Sequence, residues 1–320
     1  MNQSRLRTAL RLTAIALCLA LAIPPARAMT NQQAKQLYAQ AASGNNPAAL
    51  QSLQAAANNG DANAQAALGA LYDSGHGVPR DDAHAASWWR KAADQGDARA
   101  QTSLGVMYAN GQGVPRNYAQ AASWYRKAAD QGDAAAQLNL GLMYEHGQGV
   151  PQDYAQAAAW YRKAADQGDA DAQFNLGSMY DNGQGVPRDD AQAASWWRKA
   201  ADQGNADAQN NLGFLYAQGQ GVPQDYAQAA SWYRKAADQG FADAQNNLGV
   251  MYQFGVSVPQ DYAIAYALYN LAAAGDTKAS ANRDSISQQM SEADIESGQN
   301  LTRMMQSLGV TAAINAYANK

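Results

Sequence analysis

The side chains that most often catalyse reactions or bind metals are few and scattered in this sequence. The three histidines, His76, His84 and His146, lie in different predicted turns and helices, and their spacing is not that of a metal site. The single cysteine, Cys18, lies within the first 28 residues. Neither Ser-x-x-Lys nor Gly-x-Ser-x-Gly, two motifs of acylating serines, occurs in the chain. The sequence therefore predicts no catalytic residue, no cofactor and no metal.

Glycine-rich segments such as Gly183-Gln184-Gly185 raise the question of a nucleotide site. These segments follow predicted helices, whereas a dinucleotide-binding loop follows a strand. The overlapping run Asp181-Asn182-Gly183 lacks the ligand spacing of a calcium loop. We therefore interpret the glycine-rich segments as turns.

Arginine-lysine doublets recur at a constant spacing and could bind an acidic ligand. Each arginine is followed four residues later by an aspartate, which is the spacing of an ion pair within a helix. We therefore predict a solvated face with weak pairs, and an acidic-ligand site is the alternative. The doublets are Arg90-Lys91, Arg126-Lys127, Arg162-Lys163, Arg198-Lys199 and Arg234-Lys235, and the aspartates are Asp94, Asp130, Asp166, Asp202 and Asp238.

The elements that carry these residues belong to a 36-residue repeat, present in six copies between Asp61 and about Gly275. In each copy, apolar residues at helical spacing predict a first helix. A Gly-x-Gly-Val-Pro segment predicts a turn in five copies, and Ser257 replaces the second glycine in the sixth. An aspartate or asparagine such as Asp189 then caps a second helix, which ends at a glycine such as Gly204. Such a hairpin buries its apolar face only by stacking on its neighbours, which predicts an all-α solenoid. The Leu-Gly pairs that set the period are Leu68-Gly69, Leu104-Gly105, Leu140-Gly141, Leu176-Gly177, Leu212-Gly213 and Leu248-Gly249.

Five of the second helices carry two adjacent aromatic residues, which lie about 100° apart around a helix. One ring is expected to face its own hairpin and the other to face the next one. An aromatic ladder for binding sugars is the alternative, but two rings placed in this way do not share one exposed face. The pairs are Trp88-Trp89, Trp124-Tyr125, Trp160-Tyr161, Trp196-Trp197 and Trp232-Tyr233.

Together these motifs resemble the Sel-one-like repeat (SLR), a relative of the tetratricopeptide repeat. The resemblance is carried by Leu176-Gly177, by Gly183-Gln184-Gly185-Val186-Pro187 and by Trp196-Trp197-Arg198-Lys199-Ala200-Ala201, and by their counterparts in the other copies. It implies a right-handed α/α superhelix that holds partner proteins, and it implies no reaction. Cysteine-rich secreted relatives have been linked to β-lactam binding, but this chain lacks their repeated cysteines.

The first residues have the pattern of a secretory signal. Basic residues from Arg5 to Arg11 precede an apolar stretch from Leu12 to Ile23, and Ala26-Arg27-Ala28 matches a cleavage site. We therefore predict a signal peptide over residues 1–28, cleaved after Ala28, and a periplasmic or secreted mature chain. The mature chain is expected to have a degenerate capping repeat over 29–60, six repeats over 61–276, and capping helices with a fraying tail over 277–320.

The charge balance limits the classes of partner. Loss of the four arginines in residues 1–28 changes the net charge from −4 to −8, because 19 basic side chains remain against 27 acidic ones. This balance argues against nucleic acid or anionic lipid as the partner. No apolar run beyond the signal is long enough to span a membrane. The sequence does not predict the oligomeric state.

The copies differ most on one face of the first helix, at two positions four residues apart. By the resemblance to tetratricopeptide arrays this face lines the concave groove, although drift on an unconstrained surface is the alternative. We predict a non-enzymatic scaffold of the cell envelope or the exterior that binds a protein or peptide here. A glycan-associated scaffold and a β-lactamase-like hydrolase are the alternatives. The predicted partner-binding residues are Leu138, Leu142, Glu145, His146, Phe174, Asp181, Asn182, Phe214, Gln218, Val250 and Phe254.

Overall fold

A computed structural model of the chain describes residues 28–319, and every regular element in that range is an α-helix. The predicted signal segment lies outside the described residues, apart from Ala28. The helices of the described range are α1 (Asn31–Ala42), α2 (Pro47–Asn58), α3 (Ala62–Ser74), α4 (Asp82–Asp94), α5 (Ala98–Asn110), α6 (Tyr118–Asp130), α7 (Ala134–His146), α8 (Tyr154–Asp166), α9 (Ala170–Asn182), α10 (Asp190–Asp202), α11 (Ala206–Gln218), α12 (Tyr226–Asp238), α13 (Ala242–Phe254), α14 (Tyr262–Ala272), α15 (Thr277–Ser287), α16 (Glu292–Leu308) and α17 (Val310–Ala318).

These helices confirm the predicted all-α repeat fold, because α3 to α14 form six helix-turn-helix hairpins in sequence. The described residues form two compact units, unit 1 (residues 28–127) and unit 2 (residues 128–319). No helix of residues 28–319 combines the length and the apolar character that crossing a bilayer requires.

Capping side chains determine where the helices of each repeat begin. The carboxylate of Asp189 accepts hydrogen bonds from the backbone N–H groups of Ala191 and Gln192, both at 3.0 Å, and α10 starts there. Asp169 caps α9 through the N–H of Ala172 at 2.8 Å. Such bonds satisfy backbone donors that have no partner inside the helix. The predicted caps of the second helices are confirmed at Asp81, Asn117, Asp153, Asp189, Asp225 and Asp261.

The turn between two helices of a hairpin favours glycine for two separate reasons, although Ser257 takes the second glycine position in the last hairpin with a φ of 57°. Gly183 ends α9 with a φ of 67°, and Gly185 has a φ of 68°, a region that side-chain-bearing residues rarely adopt. A Cβ atom on Gly185 would also lie 2.1 Å from the carbonyl oxygen of Tyr154 in the preceding repeat. The turn therefore sits directly on the start of the second helix of its neighbour.

The Leu-Gly pair brings the two helices of a hairpin into close contact. A Cβ atom on Gly177 would lie 2.6 Å from Cδ1 of Trp197, so the indole of α10 rests on the backbone of α9. Leu176 beside it is fully buried. The glycine therefore lets the second helix place a large ring where another residue would hold it away.

Buried glutamines, which the sequence analysis did not single out, join consecutive repeats. The Gln173 side-chain amide on α9 donates to the carbonyl of Ala165 at the end of α8, at 3.1 Å. Gln203, at the end of α10, donates to the Gln173 amide oxygen at 2.8 Å and to the Gly168 carbonyl at 3.0 Å. Because the buried Gln173 amide has partners for both its donor and its acceptor, it fixes how the ends of α8 and α10 and the start of α9 are oriented relative to one another. The buried glutamines are Gln65, Gln101, Gln137, Gln173, Gln209 and Gln245.

The last hairpin of the array is covered by the C-terminal helices. Leu268 of α14 is fully buried at the position where Trp232 stands one repeat earlier, and α16 and α17 add Leu301 and Ile314 to the same cluster. The weak sequence signal predicts a fraying tail over residues 310–320, and this prediction is wrong for residues 310–318. They form α17, because Ile314 is buried and the Thr311 N–H donates to the Asp238 carboxylate at 2.7 Å.

Candidate partner-binding face

All eleven predicted partner-binding residues lie on α7, α9, α11 and α13, the first helices of the repeats in unit 2. We call the side of these four helices that carries them the first-helix face. Leu138 and Leu142 on α7 are four residues apart and therefore project on the same side. Because the repeats are in phase, the counterparts of these residues occur at the same position on every later first helix.

Two phenylalanines of this face are exposed to solvent. Phe214 on α11 is 47% exposed, and Phe254 at the end of α13 is 65% exposed. Gln218, one turn after Phe214, is also exposed. Neither phenylalanine is part of the buried core, so packing of the repeats does not account for them.

The aliphatic residues of the face are half-buried. Leu138 and Leu142 pack on the core cluster that contains Tyr161 and Leu176, and Val250 packs on the C-terminal cluster. They contribute to the core with one side and to the surface with the other. Their half-burial shows that these side chains take part in the packing of the repeats as well as in the surface.

Phe174 covers the second helix of its own hairpin. Its ring stacks on the indole of Trp197 with 6.5 Å between ring centroids and an angle of 25° between planes. The Trp197 indole N–H donates to the Phe174 carbonyl oxygen at 3.1 Å. The Phe174 ring therefore covers Trp197 and is also part of the first-helix face.

Glu145 is held by its own hairpin. Its carboxylate accepts a hydrogen bond from the Tyr161 hydroxyl of α8 at 2.5 Å, and its carbonyl accepts one from the Gln152 side chain at 2.7 Å. Burial, followed by the hydrogen bond and charge of Glu145, raises the pKa of Tyr161 above its ordinary value of 10.0. The same contact recurs between Tyr269 and Gln253 at 2.6 Å. This carboxylate is thus part of the packing between α7 and α8.

The remaining polar residues lie at the ends of the first helices. His146 ends α7 and is exposed, and Asn182 ends α9, where its amide donates to the Ser178 carbonyl at 2.9 Å. Asp181 is half-buried, and this burial raises the pKa of its carboxyl above the ordinary 3.8. Arg188 lowers the same pKa, and Asp190 raises it further. These three side chains line the edge of the face near the turns.

A set of asparagine amides crosses the first-helix face, and the sequence analysis did not include it among the site residues. The Asn247 amide donates to the Asn210 side-chain oxygen of the preceding first helix at 3.1 Å. The Asn282 amide of α15 donates to that of Asn246 at 2.8 Å. The sequence feature that could have indicated these contacts is the asparagine at both positions 210 and 246. The contacts themselves join helices of different repeats, so they do not follow from the sequence of one repeat alone.

Arg162 and Arg198 do not form the predicted ion pair with the aspartate four residues later, because neither guanidinium is in an ion pair within residues 28–319. Arg162 donates to the hydroxyl of Tyr180, and Arg234 donates to that of Tyr252 at 2.7 Å, each on the next first helix. The Lys163 ammonium lies 3.7 Å from the ring centroid of Trp160, a cation–π contact. The doublets therefore belong to the packing between repeats.

The aromatic pairs are core residues, as predicted. Trp197 packs in its own hairpin, whereas Trp196 packs onto α8 of the preceding hairpin, where the Arg162 guanidinium lies 5.0 Å from its ring centroid. Trp197 also shares a core cluster with Leu212 and Leu215 of the following hairpin, so the prediction that an aromatic ring of the pair contacts the next hairpin is confirmed. Six of the seven tryptophans are buried and Trp88 is half-buried, so no exposed indole lies on the first-helix face.

Within residues 28–319 no group of three or more His, Cys, Asp or Glu side chains is arranged to hold a metal ion. The side chains of the first-helix face offer apolar contacts and hydrogen bonds. Exposed rings lie beside half-buried aliphatic side chains, and amide and carboxylate groups border them.

Known proteins resemble this chain in both sequence and fold. The Sel1 repeat matches residues 31–46, 62–97, 98–133, 134–169, 170–205, 206–241 and 242–276. A solved Sel1 repeat protein from Oxalobacter formigenes is 33% identical over 72% of this chain and 96% of its own, with a TM-score of 0.60. A protective antigen of uropathogenic Escherichia coli strains that displays an SLR fold is 32% identical over 85% of this chain and 74% of its own, with a TM-score of 0.37. No match was found among curated proteins.

Proposed function

The chain belongs to the Sel1 repeat family, and from this premise we propose that it is a non-enzymatic scaffold that binds a protein or peptide on the first-helix face of unit 2. Sel1 repeat proteins commonly mediate protein–protein interactions, and the fold is generally a non-catalytic scaffold. The face presents no cluster of nucleophilic or metal-binding groups. Its apolar residues are suited to burial by a partner.

The observation that supports this proposal most is the exposure of Phe214 and Phe254. Covering one large apolar side chain contributes about 1.5 to 3 kcal/mol, and a few such anchors dominate most protein interfaces. Leu138 and Leu142 on α7 and Val250 on α13 add half-buried apolar side chains to the same face. Asn182 and Gln218 supply a polar rim, which is the usual anatomy of an interface.

The polar groups of the face favour a protein over a glycan or a nucleic acid. An exposed tryptophan would favour a glycan, and no tryptophan of the described residues is exposed. Asp181 adds negative charge to a chain whose net charge is −4, which disfavours a phosphate backbone. A peptide segment with apolar side chains requires neither an exposed tryptophan nor a basic surface.

The place of action in this proposal is the cell envelope or the exterior of a bacterium. The support is the sequence pattern of residues 1–28, with its basic start, its apolar stretch and its alanine-containing cleavage site. The sequence pattern does not distinguish a periplasmic from a released protein.

Site-specific photo-crosslinking in the producing cell tests the proposed face. A photoreactive residue is placed at Phe214 or Phe254, and at Gln192 or Gln228, which are exposed on the second helices α10 and α12. We expect the two phenylalanine positions to crosslink to the same protein and the two glutamine positions to give no such product. Crosslinks from the glutamine positions alone would contradict the proposal.

A further inference from the structure

A cavity of about 230 Å³ opens in unit 1 between α1 and α3, and it shares no residue with the first-helix face of unit 2. Ala66 and Ala70 of α3 line one wall, and the indole of Trp89 from α4 lines another. Lys35 of α1 and Arg99 of α5 also border it. A cavity of about 150 Å³ is enough to hold a benzene molecule, so an aromatic or branched side chain fits here.

The cavity lies where this repeat has alanine at the position of the ring that covers the equivalent tryptophan, Trp197, in the fourth repeat. Trp89 occupies the position that Trp197 has in a later repeat, and Ala66 occupies the position of Phe174. The Phe174 ring stacks on Trp197 at 6.5 Å between centroids. Alanine at residue 66 provides no ring, so the indole of Trp89 lines the cavity.

The orientation of the Trp89 ring also differs from that of the Trp197 ring. Around Trp197, Cδ1 and Nε1 lie against Gly177 and the N–H donates to the Phe174 carbonyl. Around Trp89 the atoms against Gly69 are Cγ, Cδ2 and Cε2, and the buried Nε1 has no hydrogen-bond partner among the described residues. The two tryptophans thus have the same place in the repeat and different ring orientations.

Two cations border this apolar cavity in a chain whose net charge is −4. The Arg99 guanidinium donates to the Asn31 side chain of α1 at 3.2 Å and lies 3.8 Å from the Asp97 carboxylate. Lys35 is exposed and forms no ion pair with a described residue. An apolar cavity with cationic groups at its mouth is complementary to an apolar group that carries a carboxylate.

We propose that this cavity binds the C-terminal residue of a peptide or protein. The apolar side chain lies against Trp89, between Ala66 and Ala70, and the terminal carboxylate lies between Lys35 and Arg99. A carboxylate can pair with both cations, since guanidinium and ammonium groups form the stronger class of hydrogen bond with it. This proposal does not depend on the first-helix face of unit 2, because no residue belongs to both.

Calorimetric titration of the full chain with the peptide acetyl-Gly-Gly-Phe tests the proposal, with the C-terminal amide of the same peptide as the matched probe. We expect the acid to bind at least tenfold more tightly than the amide. Lys35→Gln should lower the affinity for the acid towards that for the amide. Ala66→Phe, which supplies the ring that Phe174 has in the later repeat, should remove binding of both peptides.

Control variants separate this site from the other proposal. Phe214→Ala with Phe254→Ala should leave binding of the peptide acid unchanged, and a loss in this variant would overturn the assignment to unit 1. If Ala66→Phe does not fold, Arg99→Gln replaces it, and it too should weaken binding of the acid.

Three further results would overturn the proposal. They are equal affinity for acid and amide, no binding at millimolar peptide, or full binding by Ala66→Phe or Arg99→Gln. Phenylacetate distinguishes a peptide terminus from a small free acid. Binding of phenylacetate as tight as that of the peptide would contradict a peptide end as the ligand.

Discussion

The Tyr161 hydroxyl donates a hydrogen bond to the Glu145 carboxylate, and 2.5 Å separates the two oxygens. This contact joins the last turn of α7 to α8 inside one hairpin. Glu145 belongs to the first-helix face, but its carboxylate is hydrogen-bonded within its own hairpin. The equivalent contact in the last hairpin joins the Tyr269 hydroxyl to the Gln253 side-chain oxygen at 2.6 Å.

The change Glu145→Ala tests that relationship. It removes the acceptor of the Tyr161 hydroxyl, and we expect the free energy of unfolding to fall by about 1 to 2 kcal/mol. Glu145→Gln keeps an acceptor and should retain most of the stability, because Gln253 performs the same task for Tyr269. Urea unfolding of the two variants provides the measurement, and equal losses would show that the hydrogen bond does not matter.

Gly177→Ala tests the close packing of the two helices in a hairpin. On an exposed helix this change stabilises by about 1 kcal/mol. Here the added Cβ would lie 2.6 Å from Cδ1 of Trp197, so we expect a loss of about 1 to 3 kcal/mol instead. Ser178→Ala, at the next residue, is the control and should change stability by much less. A more stable Gly177→Ala variant would contradict the packing described for α9 and α10.

Asp181 predicts a pH dependence with a definite sign. Because burial raises the pKa of its carboxyl above 3.8 in the folded state, the folded chain binds this proton more tightly than the unfolded chain. Stability is then lost as the pH rises from about 3.8 through the raised value. Asp181→Asn should be more stable than the parent at neutral pH, and the difference should vanish in acid. Thermal unfolding across this range checks it, and a difference that grows in acid would have the wrong sign.

The period of Leu-Gly and Gly-x-Gly-Val-Pro was enough to predict the hairpin, its caps and its turns, because each of those depends on residues close in sequence. The contacts of Arg162 were not predictable in this way. An aspartate four residues away is a local partner, but Tyr180 of the next repeat is a closer one in three dimensions. The helix formed by residues 310–318 also depends on a distant contact, between Thr311 and Asp238.

Variation between repeats selected the eleven residues of the first-helix face, and their role in binding a partner stays a prediction. This variation did not distinguish Phe174, which stacks on Trp197, from Phe214, which is 47% exposed. Burial depends on the ring that each repeat places opposite, and that ring lies more than 20 residues away in sequence, as the pair Phe174 and Trp197 illustrates.

Export should remove the first 28 residues of the chain. The pattern ending at Ala26-Arg27-Ala28 places the expected mature start at Met29. N-terminal sequencing of the protein recovered from the periplasm or the medium measures this directly. A chain that starts at residue 1 in those fractions would contradict the predicted cleavage, as would a chain retained in the membrane after a carbonate wash.

The most direct test of the account is the affinity of the crosslinked partner for a variant of the first-helix face. Phe214→Ala with Phe254→Ala removes two rings that are 47% and 65% exposed, so it should leave the helical content and the unfolding midpoint nearly unchanged. We predict that the dissociation constant measured by calorimetry rises at least tenfold, which is about 1.4 kcal/mol. Lys163→Ala with Lys199→Ala on the second helices is the matched control and should bind as the parent does. Unchanged binding by the phenylalanine variant, together with loss of binding by the lysine variant, would contradict the account and move the interface to the second helices.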